Sequence, residues 1–228
     1  MTLSLKRRLI LRVIIVLPLV AALLFGPAGT LRFWQGWVLL AIFAGFNNLF
    51  LGYFYRRDPK LVERRLQSRE TQPKQKQFKI LWLPMWIGTL AMPGFDHRFG
   101  WSAALLGTVP PALEAFSFAI ICAGWLVVFY VMRFNSFASA VVQVEAGQKV
   151  ITDGPYRLVR HPMYTGFVLM ILATPVALGS YLSLAPAVLL VPVLMFRMAD
   201  EERLLRRDLP GYAEYCERTR YRLVPYLY

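Results

Sequence analysis

Charged side chains are scarce in this chain. They make up 17% of its 228 residues against 57% hydrophobic ones, and mean hydropathy is +0.46. A soluble domain carries about a quarter charged residues, so a soluble globular reading fits badly. Cysteine is nearly missing, and Cys122 and Cys216 cannot frame a disulfide scaffold. Histidine is equally rare. With His97 and His161 far apart and the cysteines isolated, no metal site is expected. Internal repeats and low-complexity tracts are lacking too. Disorder is excluded because 14% of the residues are Phe, Trp or Tyr.

Long apolar runs fill the space that charge leaves. The length suits one bundle of about six membrane spans of roughly 20 residues each, plus loops. Acidic residues number 13 against 26 Lys and Arg, for a net charge of +13. In a soluble protein that excess would suggest nucleic acid. Here the basic residues punctuate apolar runs and form no stripe on a polar surface. No nucleic-acid partner is expected, because the positive-inside bias of multi-pass membrane proteins gives the same excess.

The first run, 9–26, follows Lys6, Arg7 and Arg8. A cleaved signal peptide reads the same way, but a second run at 33–55 follows at once as its hairpin partner. Asn47 and Asn48 lie inside that second run; they either pack across helices or line a cavity. Residues 56–79 are strongly basic and read as a soluble loop facing lipid headgroups, with a short amphipathic helix near Leu61–Leu66. A third run covers 80–95, and 96–100 reads as a polar turn. Residues 101–113 look re-entrant or interfacial, and a fourth span covers 114–134. A polar connector, 135–161, leads to a tight helical hairpin at 162–179 and 180–197, with Pro175, Pro186 and Pro192 expected to kink it. A charged, aromatic tail closes the chain at 198–228.

The fold class expected is therefore all-α, a multi-pass transmembrane helical bundle. Two parts are drawn: 1–113, the N-terminal membrane helices with the basic loop, and 114–228, a core with connector, hairpin and tail. With six spans and the N-terminus inside, only Arg32 and Arg98 among the basic residues fall outside. Both termini, the 56–79 loop and the connector then share the cytoplasmic face. The inner membrane of a bacterium is the favoured location, with membrane lipids as surroundings.

Chemistry concentrates in the string GPYRLVRHPMYTG, residues 154–166. Pro162 suits the first position of a helix, where its missing N–H costs nothing. His161 then sits at a helix N-terminus, whose free N–H groups attract carboxylates and phosphates. The alternative is plain membrane entry, with Arg160 and His161 among headgroups and Tyr156 and Tyr164 in an aromatic belt. A second cluster is Arg197 through Glu202. Arg197 and Glu201 stand i,i+4 on one helix face, either as a local ion pair or as functional groups at the bundle's edge. A third, GYAEYCER at 211–218, spaces Tyr212 and Tyr215 one turn apart, a spacing that often marks an interfacial packing stripe.

GPYRLVRHPMYTG, then EERLL, then GYAEYCERTRYRLVP, together resemble the isoprenylcysteine carboxyl methyltransferase family. That family is part of a wider group of integral-membrane methyltransferases that includes phospholipid methyltransferases. The resemblance covers about 135–228. It implies S-adenosylmethionine as cofactor. Carried over by position, it assigns cofactor contacts to Gln143, to Gln148, Lys149, Val150 and Ile151, to Tyr156, and to His161, Pro162, Met163 and Tyr164. Glu201 matches an acidic cofactor ligand and Arg197 an arginine on the substrate side, so Arg197 and Glu201 are the candidate catalytic pair. His161 and Pro162 would take the cofactor's carboxylate, Glu201 its ammonium or ribose hydroxyls, and Tyr156 and Tyr164 its sulfonium or adenine.

The activity implied is methyl transfer to a lipidic or small hydrophobic acceptor, with a carboxylate such as isoprenylcysteine favoured. A carboxylate is already a nucleophile, and Arg197 would hold it by a bidentate contact. An amine acceptor would need a base, for which Glu201 and Glu202 are the candidates. Two other classes stand beside this reading: an NADPH-dependent membrane reductase of sterol-reductase type, and a non-enzymatic membrane scaffold.

Overall fold

The computed structural model describes residues 5–66, 73–138, 143–145 and 147–227. Among them every regular element is a helix. In chain order these are α1 (Leu5–Ala28), α2 (Trp34–Arg57), α3 (Pro59–Leu66), α4 (Pro73–Phe99), α5 (Trp101–Leu106), α6 (Pro111–Phe134), α7 (Pro162–Ala177), α8 (Leu184–Asp208) and α9 (Tyr212–Arg218). A 3-10 turn, Gly154–Arg157, lies within the connector. Proline sets many of these boundaries. Pro59, Pro73, Pro111 and Pro162 each open a helix, where a fixed φ is pre-organised and the lost donor has no partner anyway.

The chain is an all-α membrane bundle. Arg7–Ala28, Trp34–Arg57 and Pro111–Phe134 are long and apolar enough to cross a membrane by length and composition. The other long helices differ in kind. Helix α4 opens on Lys74, Lys76 and Lys79, α7 is apolar but has 16 residues, and α8 is apolar in its first half and charged in its second.

Several expected boundaries move. The short helix expected near Leu61–Leu66 is present as α3, whereas Pro73 onwards belongs to the opening of α4 and not to the loop. The turn expected at 96–100 is the last turn of α4, which stops at Gly100 with φ +68°. The 101–113 segment divides into short α5, an extended stretch and the opening of α6. Helix α8 continues past 197 to Asp208, so the helix face expected to carry Arg197 and Glu201 is present and extends into the stretch read as tail. Most residues there, namely Arg, Glu, Leu, Met and Ala, carry good helix propensity, and an apolar-to-polar change in composition does not end a helix.

The six long helices form a closed ring. Helix α1 packs on α2 and α4, α4 on α8, α8 on α7, α7 on α6, and α6 returns to α2. Two seams of the ring need glycine. Where α6 meets α7, a Cβ on Gly166 would lie 2.8 Å from the carbonyl of Gly124, and one on Gly124 would lie 2.8 Å from the carbonyl of Gly166. Where α1 meets α4, a Cβ on Gly94 would sit 2.6 Å from the carbonyl of Leu24. Small residues let helix backbones approach this closely, which is how packing is gained where lipid removes the hydrophobic drive.

The ring has two unlike ends. At one, Asp96 accepts hydrogen bonds from the amide and hydroxyl of Ser102, whose oxygen accepts from the Leu182 amide at 3.1 Å. Gln35 donates to Glu114 at 3.2 Å there. At the other end, α3, the connector, the start of α7, the charged half of α8 and α9 come together.

Candidate functional site

A buried ionic knot organises that second end. The Glu202 carboxylate is 3% exposed and gathers two guanidiniums and an imidazole. Arg160 Nε donates to its Oε1 at 2.6 Å, Arg222 Nε donates to its Oε2 at 3.1 Å, and His161 Nε2 lies 3.1 Å from Oε1. Arg160 also donates to the carbonyls of Thr219 and Arg220, each at 3.1 Å. The backbone N–H groups of Arg160 and His161 donate to Tyr221 and Arg222 carbonyls at 2.9 Å, and the Thr165 hydroxyl donates to the Leu223 carbonyl at 2.7 Å. The tail is thereby stapled along the entrance of α7. Burial alone would raise the Glu202 carboxyl. The hydrogen bond and charge of His161, then Arg160, outweigh it and hold the group low, at about 2.

This knot corrects the membrane-entry alternative. Arg160, His161 and Tyr164 are all buried, so none of them meets headgroups or forms an aromatic belt. Tyr212 and Tyr215 are buried as well, and the Tyr215 hydroxyl donates to the Tyr156 carbonyl at 2.8 Å, so they are no interfacial stripe. The His161 backbone N–H is already used within the chain.

In front of the knot lies a cavity of about 700 Å³. The connector supplies Gln143, Gln148, Lys149, Val150, Ile151 and Tyr156 to its wall; the entrance of α7 supplies His161, Pro162, Met163 and Tyr164; α8 supplies Arg197 and Glu201. The residues singled out in the sequence thus share one space. Glu202 stands behind this wall, one residue round the helix from Glu201, and does not line it.

Arg197 and Glu201 are linked through a third group. The Tyr164 hydroxyl donates to Glu201 Oε2 at 2.6 Å and accepts from Arg197 Nε at 3.2 Å. The Arg197 guanidinium also stacks on the Phe78 ring at 4.8 Å. Tyrosine here acts as a spacer that fixes a cation and a carboxylate side by side on one face of α8. Tyr156 is held in turn by Asn135, whose amide donates to its hydroxyl at 2.8 Å. Burial pushes that phenol up to about 12, so it stays neutral.

Other walls come from residues that the sequence did not single out for the site. Arg12 of α1, Arg65 of α3, and Lys79 and Trp82 of α4 line the cavity, with Trp125 of α6. Arg12 donates to the Arg65 carbonyl at 2.8 Å. Burial, then the Arg12 and Arg197 guanidiniums, lower Arg65 to about 10. A sequence signal for Arg12 existed, since an arginine inside an apolar run is a functional candidate. Asn47 and Asn48 also line the cavity, each donating back to its own helix, to Phe43 and Ala44 carbonyls. Tyr212 contributes a hydroxyl that is buried in the wall without a hydrogen-bond partner among the described residues.

Comparison with known proteins places this site in a recognisable setting. A family model described as phospholipid methyltransferase matches residues 113–209, which span α6, the connector, α7 and α8. This supports an integral-membrane methyltransferase. The chain is also similar to the Delta(14)-sterol reductase TM7SF2 of Mus musculus, 32% identical over 90 residues. That stretch covers 38% of this chain and 22% of the mouse protein.

Proposed function

We propose that the protein moves a methyl group from S-adenosylmethionine to a lipidic acceptor at a membrane interface. The observation that carries this reading is a single cavity with two kinds of wall. Its connector side is polar and includes a buried donor, the Tyr212 hydroxyl, with no partner among the described residues. Its opposite side, on α1, α2 and α6, is mostly apolar and aromatic, with Arg12, Asn47 and Asn48 as polar members. A water-soluble cofactor and a membrane-partitioning acceptor require such a division.

The residues present fit the cofactor's chemistry. Glu201 offers a carboxylate to an ammonium or to ribose hydroxyls. Tyr212 offers a donor, Tyr156 an aromatic face, and Gln143 and Gln148 amides. Bound S-adenosylmethionine would supply an electrophilic methyl group. The chain's part is alignment and exclusion of water. Tyr164 holds Arg197 in place so that its planar fork can orient an acceptor carboxylate. Glu202 is a poor general base, because Arg160, Arg222 and His161 occupy its oxygens and hold it away from the cavity. Glu201 is left as the base if the acceptor is an amine.

We further read the bundle as six spans with both termini and the site on the cytoplasmic side. Single cysteines at positions 70 and 220 should be labelled from one side, and labelling from opposite sides would refute this arrangement. The second functional reading, a nicotinamide-dependent reductase, draws on the similarity to the mouse sterol reductase. Thermal unfolding of the detergent-purified protein with S-adenosylhomocysteine and with NADPH separates the two. A shift with S-adenosylhomocysteine alone is expected; a shift with NADPH alone would transfer the site to the reductase class.

A further inference from the structure

We propose that Arg64 of α3 is a positioning residue for the cofactor, acting through Glu145 of the connector. The inference deepens the methyltransferase reading and rests on it for the identity of the ligand. It ties the site to α3, which lies outside the segment that the family model matches.

The connector needs a frame from outside. Residues 143–151 bring Gln143, Gln148, Lys149, Val150 and Ile151 to the cavity wall, and none of the described ones lies in a helix. Glu145 is the residue that gathers this stretch. Its carbonyl accepts from the Gln148 backbone N–H at 3.0 Å, which closes a turn in which Gly147 supplies φ +77°. Its own backbone N–H donates to the Gln148 amide oxygen at 3.0 Å, and its carboxylate accepts from the Gln143 amide at 3.3 Å. Two candidate cofactor ligands therefore take their places from one residue. With its oxygen engaged at Glu145, Gln148 keeps its amide N–H groups for a ligand, which suits a carboxylate or hydroxyl oxygen.

Glu145 is fixed in turn from across the site. Arg64 Nε donates to its carboxylate at 2.9 Å, and Arg64 Nη2 lies 2.8 Å from Oε2. The third nitrogen, Nη1, donates to the Ser136 carbonyl at 2.6 Å, and the guanidinium stacks on the Phe137 ring at 4.7 Å. All three nitrogens are thus spent on the connector. The two side chains are 15% and 26% exposed, so water screens the pair only in part.

Helix α3 is itself well anchored. Leu61 and Val62 are buried beside Phe54 and Met132, the Asp58 carboxylate accepts from the Leu61 N–H at 3.0 Å, and Arg12 donates to the Arg65 carbonyl at 2.8 Å. On its other side the connector rests Val144 and Val150 on Leu209, Tyr212 and Tyr215. The stretch is strung between α3 and α9, with apolar contacts at one end and the Arg64 fork at the other. Apolar burial holds a segment without giving it a direction, whereas a guanidinium fork on a carboxylate fixes orientation. Arg64 therefore sets how Gln143 and Gln148 meet a ligand.

The test uses the full chain in phosphatidylcholine nanodiscs, with S-adenosylhomocysteine titrated by calorimetry. Arg64→Gln and Glu145→Gln should each weaken it at least fivefold. The double variant should fall within twofold of the weaker single one, because both changes remove one link. Arg64→Lys keeps the charge without the fork and should restore part of the loss. Glu63→Gln breaks the exposed pair of α3 with Arg8 and should leave affinity within twofold. In the ligand-free protein, Arg64→Gln should speed hydrogen exchange at amides 148–151 and leave those of α7 and α8 as they are. Unchanged affinity in Arg64→Gln, additive losses in the double variant, or an equal loss in Glu63→Gln overturns the positioning role. Faster exchange throughout α7 and α8 also overturns it, by reducing Arg64 to a general part of the fold. Failure of S-adenosylhomocysteine to bind the wild type overturns the methyltransferase reading instead. In that case the exchange measurement decides: faster exchange confined to 148–151 upholds the clasp, and unchanged exchange overturns it.

Discussion

The two walls of the cavity are built by different physics. The C-terminal wall is a polar construction. Glu202, Arg160, His161 and Arg222 cross-link α7, α8 and the tail, and backbone amides of the α7 entrance pair with the tail itself. The N-terminal wall is mostly aromatic and aliphatic. Phe50 packs against Phe54, Trp125 and Phe129, and Phe46 stacks on Trp125 at 5.7 Å. A hydrogen-bonded charge network tolerates little change, because removing one member strands the others. An apolar wall accepts many side chains of similar volume. The first wall suits a fixed task such as holding a common cofactor, and the second suits a choice among acceptors.

The largest effect should come from breaking the polar wall at its centre. Glu202→Gln leaves Arg160 buried without its carboxylate and should cost about 3–5 kcal/mol of stability, read as thermal unfolding in detergent. The same group gives a pH signature. Its folded value of about 2 lies below the ordinary 4.5. The stability it contributes is therefore complete above pH 4.5 and drains away as pH falls toward 2. Unfolding followed from pH 6 to pH 3 should show that slope in the wild type and a flatter one in the Gln variant.

Next come the two side chains that Tyr164 holds apart. Arg197→Lys keeps the charge and loses the planar fork, so turnover should fall by roughly 2–4 kcal/mol of transition-state stabilisation while cofactor affinity holds. Glu201→Gln should instead weaken S-adenosylhomocysteine by about 1.5–3 kcal/mol, the range for a hydrogen bond to a charged group. Calorimetry and methyl-transfer kinetics on both variants separate these outcomes. Exchanging the two residues should abolish activity, and a fully active exchange would reduce them to a structural pair.

Gly166→Ala tests the seam that carries the polar wall. Its Cβ would press on the Gly124 carbonyl, a backbone atom that cannot rotate away, and overpacking of this kind costs about 1–3 kcal/mol. A variant as stable as the wild type would show that α6 and α7 slide apart freely.

Tyr212→Phe is smaller and has a distinctive sign. The hydroxyl is buried without a partner among the described residues, so ligand-free stability should hold or rise. Affinity for S-adenosylhomocysteine should drop by about 0.5–1.5 kcal/mol, the net worth of one neutral hydrogen bond. Equal affinity would mean that the hydroxyl faces no ligand. The smallest effect belongs to the N-terminal side, where Arg8 pairs with Glu63 at 2.8 Å in an exposed setting. Arg8→Ala should change stability by less than about 1 kcal/mol, in contrast to Glu202 at the other wall.

The apolar runs made the helical bundle legible, and three of those runs are of spanning length. Pro162 and the polar stretch before it marked the entrance of α7 correctly. The boundaries at 73–79, 96–100 and 197–208 were misjudged for one reason. Hydropathy falls along those stretches, but an apolar-to-polar change does not by itself end a helix: Lys, Gln, Arg, Glu and Leu favour helix at 73–79 and 197–208, and α4 stops only at Gly100, after the polar residues. Arg197, Glu201 and the RHPMY string could be singled out because motif and helix spacing are local properties.

Local sequence also decided that Arg197 and Glu201 share a helix face, since the i,i+4 relation is fixed by helix geometry. Only the tertiary structure decided which neighbours they have. Glu201 and Glu202 are adjacent in the chain, yet the turn of α8 aims one at Tyr164 and the cavity and the other at Arg160, His161 and Arg222. Arg12, Arg65 and Arg197 come from three separate helices, and nothing in their spacing announces that they line one space. Their meeting depends on how the ring of helices closes, and that closure is set by backbone approach at Gly94, Gly124 and Gly166. A sequence dictates each helix through neighbours a few residues away, whereas a site is assembled by packing between helices far apart in the chain.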